Sequence, residues 1–166
     1  MEHTMANTAE PDRLRADPGE IDKLNQTVIQ EFRANQGKLP RDILKKYPFI
    51  AGGALEGMPI ALITMTGAKS GRTLTRPLCY AVDGDRVVII ASYGGAPKNP
   101  PWYYNLIKNP VVTVEVGTEK YQARAVQVSG AERKRLFDAL AKIMPLFNDY
   151  QTKTEREIPV FTLNRM

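Results

Sequence analysis

Apolar positions recur every three or four residues in some stretches of the chain and alternate, or run together, in others; that contrast separates helices from strands. Asp17, Pro18 and Glu20 make a helix start, with an Asp cap, a proline at the first helical position and an acid reaching back toward the cap. Ile21, Leu24, Val28 and Phe32 follow at helical spacing until Gly37, an amphipathic segment of about four turns. Its apolar face is expected to pack on the same chain or to lid its pocket. A short basic turn from Arg41 to Tyr47 is halted by Pro48, and Phe49 to Gly57, with three glycines, reads as loop.

Pro59 to Met65 is apolar and β-branched enough for a buried strand. Thr73 to Val82 and Arg86 to Ser92 are two further strands, joined by a hairpin turn at Asp83 and Gly84. Asn99, Pro100 and Pro101 open a short helix, WYYNLIKN, that stops at Pro110. Val111 to Val116 and Lys120 to Val128 form a hairpin around Gly117, and Ser129 caps a last long helix. There Leu136, Leu140 and Ile143 share a face, Glu132 to Arg135 are solvated, and Pro145 ends the run. IPVFTLN reads as the final strand. Six strands, mostly in hairpins, with three main helices predict an α+β fold built on an antiparallel barrel or sandwich. Residues 1–17 are polar and rich in Ala, Asp and Pro, so they read as a tail before a single domain over 18–166.

Composition narrows the chemistry. With 166 residues, 43% hydrophobic and 25% charged, the chain can bury a core without staples. Cys79 is the single cysteine, no CxxC pair exists, and the one histidine, His3, falls in the tail. No metal site and no general-base histidine are expected, and a reducing cytoplasm is the natural location. No apolar run approaches the roughly 20 residues that a membrane span needs. The net charge of +5 lies unevenly: −1 over 1–61, +4 over 62–108 and +2 over 109–166. A basic middle segment suits an acidic small ligand; a nucleic-acid partner is not expected, because no stacking motif or recognition helix accompanies the charge.

Three places carry candidate chemistry. In TGAKSGR, Thr66 to Arg72, two glycines bracket Lys69 and Ser70, with Arg72 and Arg76 close behind. Exposed amides, an ammonium, a hydroxyl and two guanidiniums can surround a phosphate, although an ordinary solvated turn explains the motif equally well. In SYGGAPKNPPW, Gly94 and Gly95 after Ser92 let backbone approach a flat ring, and Trp102, Tyr103 and Asn105 follow at the helix start, although a lone tryptophan such as Trp102 is more often a core anchor. In MPLFNDY, Met144, Phe147 and Tyr150 recur every three residues, giving an apolar wall with one phenol, although ordinary core packing explains Met144 and Phe147 equally well. No Ser/His/Asp or Cys/His set is present, so any chemistry belongs to a cofactor.

Taken in order, TGAKSGR, RPL, DGDR, ASYGGAPKNPPWYYNL, NPVVTVEVG and NDYQTKTEREIPV resemble the deazaflavin-dependent nitroreductase family of actinobacteria over roughly Pro59 to Val160. The resemblance implies a split β-barrel with flanking helices and a site for coenzyme F-420, an 8-hydroxy-5-deazaflavin with a phospholactyl and oligoglutamate tail. By similarity, Lys69 and Ser70 would take the phosphate, with Ala68 beside them in the cofactor site and Arg72 and Arg76 near the tail. Pro77, Leu78 and Cys79 would border the deazaflavin, Ile90, Ala91, Ser92, Tyr93 and Gly94 would contact its rings, and Trp102 and Asn105 would close the pocket. Met144, Phe147 and Tyr150 would form the substrate wall, with Ser92 and Tyr150 as the catalytic candidates, hydrogen-bonding an acceptor that receives hydride.

This chain departs from that pattern. Leu74 and Tyr93 stand where many members carry a basic residue, which shifts tail binding toward Arg72 or Arg76. Met144 and Phe147 replace phenols, which shifts the expected acceptor from bulky nitroimidazoles to quinones or conjugated enones. FMN in place of the deazaflavin, a noncatalytic carrier role, pairing into a homodimer and peripheral membrane contact all remain open at this point.

Overall fold

A computed structural model describes residues 18–39 and 59–166. The tail expected over 1–17, the basic turn Arg41 to Tyr47 and the loop Phe49 to Gly57 lie outside the described residues. The elements, in order, are α1 (Pro18–Ala34), β1 (Ile60–Thr66), β2 (Thr73–Cys79), β3 (Ala81–Asp83), β4 (Arg86–Ile90), α2 (Pro101–Lys108), β5 (Val111–Val116), β6 (Glu119–Val128), α3 (Gly130–Ile143), α4 (Leu146–Thr152) and β7 (Val160–Arg165).

Among the described residues, seven strands form one antiparallel sheet in the order β2-β1-β5-β6-β7-β4-β3. The run expected as one strand from Thr73 to Val82 divides at Tyr80, and its halves occupy the two opposite edges. A continuous run of chain at both edges obliges the sheet to curl back on itself, which makes it a split barrel and raises the strand count from six to seven. Pro77 is tolerated because β2 lies at an edge, opposite Leu62 of β1. Both short hairpins turn on a glycine with positive φ, Gly84 at 64° and Gly117 at 58°.

Pairing register explains the core. Ile63 faces Val114, Val112 faces Ala123, Ala125 faces Leu163, and Ile89 faces Phe161, so alternate residues of five strands fill the barrel. The opposite face is covered in two places. Leu136, Phe137 and Leu140 of α3, with Phe147 and Tyr150 of α4, pack over Val88, Val128 and Val160. Ile29 and Phe32 of α1 pack over Leu62. Arg33 fixes α1 by a bidentate pair, Nε and Nη2 donating to the Glu115 carboxylate at 3.1 and 2.9 Å. Gly37 then passes so close to Gly117 that a Cβ on it would lie 2.4 Å from the Gly117 Cα.

Three local expectations change. Ser129 stands at the N-cap of α3 but makes no side-chain capping bond. Ile143, expected on the apolar face, is 63% exposed, because the helix ends there and Met144 turns inward instead. The Met144 to Tyr150 stretch is itself helical as α4.

Candidate functional site

The turn between β1 and β2 is closed from within. Gly67 N–H donates to the Arg72 carbonyl at 2.8 Å, Gly71 N–H donates to the Gly67 carbonyl at 3.0 Å, and Ser70 Oγ accepts the Arg72 amide at 3.1 Å. Gly71 has φ of 68°, a backbone that favours glycine, and a Cβ on Gly67 would come within 2.5 Å of Ser70 Oγ, so a side chain there would displace that hydroxyl. Asn105, Lys108 and Asn109 lie on one side of the end of α2 and grip this turn. Asn105 Oδ1 accepts the Ala68 amide at 2.8 Å, Lys108 Nζ donates to the Ala68 carbonyl at 2.8 Å, and Asn109 Nδ2 donates to the Thr66 carbonyl at 3.4 Å.

The second turn follows β4. Tyr93–Gly95 form a single 3-10 turn in which Tyr93 has φ of 49°, an unusual backbone for a residue with a bulky side chain. Arg156, from the segment between α4 and β7, supports the loop from behind. Its guanidinium donates to the carbonyls of Ala96 at 2.9 Å, Ser92 at 2.8 Å and Ala91 at 3.3 Å, and to Asn99 Oδ1 at 2.8 Å. Helix α4 also packs against this turn.

Between the two turns lies a cleft of about 450 Å³. Gly67, Ala68, Lys69 and Ser70 form one bank, and Tyr93, Lys98 and Asn99 form the other; Leu74, Pro101, Tyr104 and Asn105 complete the wall. Lys69 and Lys98 have no ion-pair partner among the described residues, so the cleft holds two uncompensated ammonium groups beside apolar surface. That combination suits an anionic ligand with a flat or apolar body.

Of the residues singled out from sequence, Ala68, Lys69, Ser70, Tyr93 and Asn105 meet at the cleft, and Gly94 sits within the 3-10 turn beside it. Arg72 ends the first turn and is exposed, while Arg76 donates to the Thr75 carbonyl at 3.1 Å. Pro77 is buried in β2, and Leu78 and Trp102 pack against the barrel core, where the Trp102 and Phe161 rings lie 6.1 Å apart. Ala91 is buried in that core, and Ser92 is buried with its carbonyl turned to Arg156. Cys79 and Ile90 pack against the outer cluster, and burial pushes the Cys79 thiol up to about 12. Met144, Phe147 and Tyr150 are core residues of that same cluster, at 7%, 4% and 7% exposure, and do not line the cleft.

Sequence reasoning missed Lys98, Asn99, Pro101, Tyr104 and Arg156. Lys98 was accessible through the basic excess of the middle segment. Arg156 had no such signal, since nothing in TEREIPV marks one cation as turned inward.

Residues 41–165 match the F-420H(2)-dependent quinone reductase family. An F-420H(2)-dependent quinone reductase of Mycobacterium tuberculosis strain H37Rv is 39% identical over 110 residues, covering 64% of this chain and 74% of that protein. A solved F-420H(2)-dependent reductase is similar with a TM-score of 0.60 and 39% identity, covering 64% of this chain and 94% of the other. A solved domain-swapped dimer is similar with a TM-score of 0.62 and 32% identity, covering 89% of this chain and 100% of the other. With the family match running through the barrel, both turns and α2, this chain belongs to the F-420H(2)-dependent quinone reductases and is an oxidoreductase.

Proposed function

We propose that this chain transfers hydride from reduced coenzyme F-420 to an apolar quinone, with conjugated enones and nitro compounds as lesser acceptors. The observation that carries the reading is the cleft lined by both Lys69 and Lys98, with no acid paired to either among the described residues. A phosphate and glutamate carboxylates match those cations, and Leu74, Pro101 and Tyr104 offer apolar surface to a ring. The donor set therefore fits the cofactor that the mycobacterial relative's name specifies.

Lys69, Lys98 and the Ser70 hydroxyl would hold the anionic tail, and the turns would hold the ring by backbone contact. When bound, the reduced deazaflavin supplies the hydride; the protein positions and shields the reactants. Asn105 and Lys108 keep the first turn fixed against α2, so the tail site is built before ligand arrives. FMN, left open by a phosphate cradle alone, draws no support from the family match. The similar domain-swapped dimer favours a homodimer for this chain.

The test is a fluorescence titration with oxidised F-420, followed by turnover of the reduced form with menadione, cyclohexenone and a nitroimidazole. Binding with menadione fastest is the expected result. Failure of the native protein to bind F-420 would sink the proposal.

A further inference from the structure

We infer that Arg156 is a positioning residue for the cleft, holding Tyr93 in its left-handed backbone conformation and thereby setting the bank that carries Tyr93, Lys98 and Asn99. The inference deepens the function proposed above and rests on it only for the ligand readout.

One guanidinium donates four hydrogen bonds to a loop of nine residues, and three of the acceptors are main-chain carbonyls. Two of these carbonyls, on Ala91 and Ser92, immediately precede Tyr93, and the third, on Ala96, follows the 3-10 turn. The Ser92 carbonyl also accepts the Gly95 amide at 2.9 Å, and the Tyr93 carbonyl accepts the Ala96 amide at 3.2 Å. Carbonyls brought this close together repel one another, and a cation between them removes the repulsion.

Tyr93 supplies the second observation. At φ of 49° a tyrosine is strained, whereas glycine, which follows it twice, would not be. A strained residue persists only where its surroundings over-determine it, and Arg156 is the side chain that bonds the carbonyls on both sides of this turn.

Arg156 makes no salt bridge among the described residues. No carboxylate lies within ion-pair distance of it among the described residues, and burial lowers its pKa from an ordinary value high enough that it stays charged. Among the described residues its charge is met by carbonyl dipoles and the Asn99 amide oxygen. The segment that carries it is itself fixed: Gln151 Nε2 donates to the Arg156 carbonyl at 2.8 Å, and Gln151 Oε1 accepts the Ile158 amide at 3.0 Å.

The test compares four full-length proteins: native, Arg156→Lys, Tyr93→Gly and the double variant. Lysine keeps the charge but cannot reach four acceptors in a fork. Two readouts are taken, amide hydrogen exchange over residues 91–99 relative to β1, and affinity for oxidised F-420 per folded molecule. A merely structural prop would lower thermal stability without altering either quantity in the folded protein.

Arg156→Lys should speed exchange at Gly95 and Ala96 about tenfold and weaken F-420 about tenfold, the scale of one strained backbone residue. In the Tyr93→Gly background, where no strain needs holding, the same change should cost less than about threefold. Equal factors in both backgrounds, or no effect in the native background, would overturn the inference. If native protein fails to bind F-420, the proposed function falls and the exchange data alone decide the role of Arg156. If Arg156→Lys does not fold, folding restored by Tyr93→Gly supports the role, and failure in both backgrounds overturns it.

Discussion

Asn105 Oδ1 accepts the backbone amide of Ala68 at 2.8 Å, across 37 residues of sequence. The bond makes α2 and the glycine turn one rigid unit, so Asn105 shapes the cradle as well as lining it. Asn105→Ala should weaken F-420 by roughly five- to thirty-fold, the worth of about 1–2 kcal/mol for an amide left without its acceptor. Asn105→Asp keeps an acceptor for Ala68, and its thermal midpoint should stay near native while affinity still falls, because a carboxylate then faces an anionic ligand. Parallel melts and titrations separate the two effects.

Lys69→Ala and Lys98→Ala should each reduce affinity for F-420 and flatten its dependence on salt, since each removes one screened charge contact. The expected loss is about three- to thirty-fold per lysine, with turnover at saturating cofactor little changed. Salt-independent binding by the native chain would show that the anionic tail does not lie between them.

Tyr150 is 7% exposed and packs edge-on to Phe147, with ring centroids 6.3 Å apart. Losing a general acid costs about 10²–10⁴-fold in rate. Given this burial, Tyr150→Phe is expected instead to leave turnover within about threefold, far short of the loss a general acid would cause. Steady-state rates at saturating cofactor decide between the two.

Asp83 receives hydrogen bonds from Arg135 and from Arg86, and the Arg135 bonds, then those of Arg86, hold its carboxyl down to about 2 against an ordinary 3.8. A lowered folded-state value means that the contribution is complete above about pH 4 and is lost as pH falls toward 2. Asp83→Asn should therefore reduce the acid sensitivity of the β3–β4 hairpin in that window and leave the melting temperature above pH 5 with only a small, constant offset. Melts from pH 2 to 7 test the sign.

Cys79, with its thiol near 12, should react slowly with a disulfide reagent at pH 8 in the native state and rapidly in denaturant. Stoichiometric labelling within minutes of mixing native protein would contradict its packing against the outer cluster.

Much of the fold was legible because its signals are local. The Asp83–Arg86 and Val116–Glu119 turns, the alternation of β6 and the proline start of α2 each depend on residues within a few positions of one another. The glycine turn Thr66 to Arg72 was legible for the same reason. The break at Tyr80 was not, since sending the two halves of one apolar run to opposite edges is decided by the closure of the sheet.

The same division holds for the site. Sequence by itself determined the chemistry on offer: a basic middle segment, two glycine turns, no nucleophile with a base. Tertiary structure decided which of those groups meet. It brought Lys98 and Lys69 to one cleft, turned Asn105 onto Ala68, placed Met144, Phe147 and Tyr150 in the packing of α4, and set the half-buried Arg156 against the second turn. Those outcomes depend on contacts between residues up to 65 positions apart, and no periodicity in a chain encodes which of its cations faces inward.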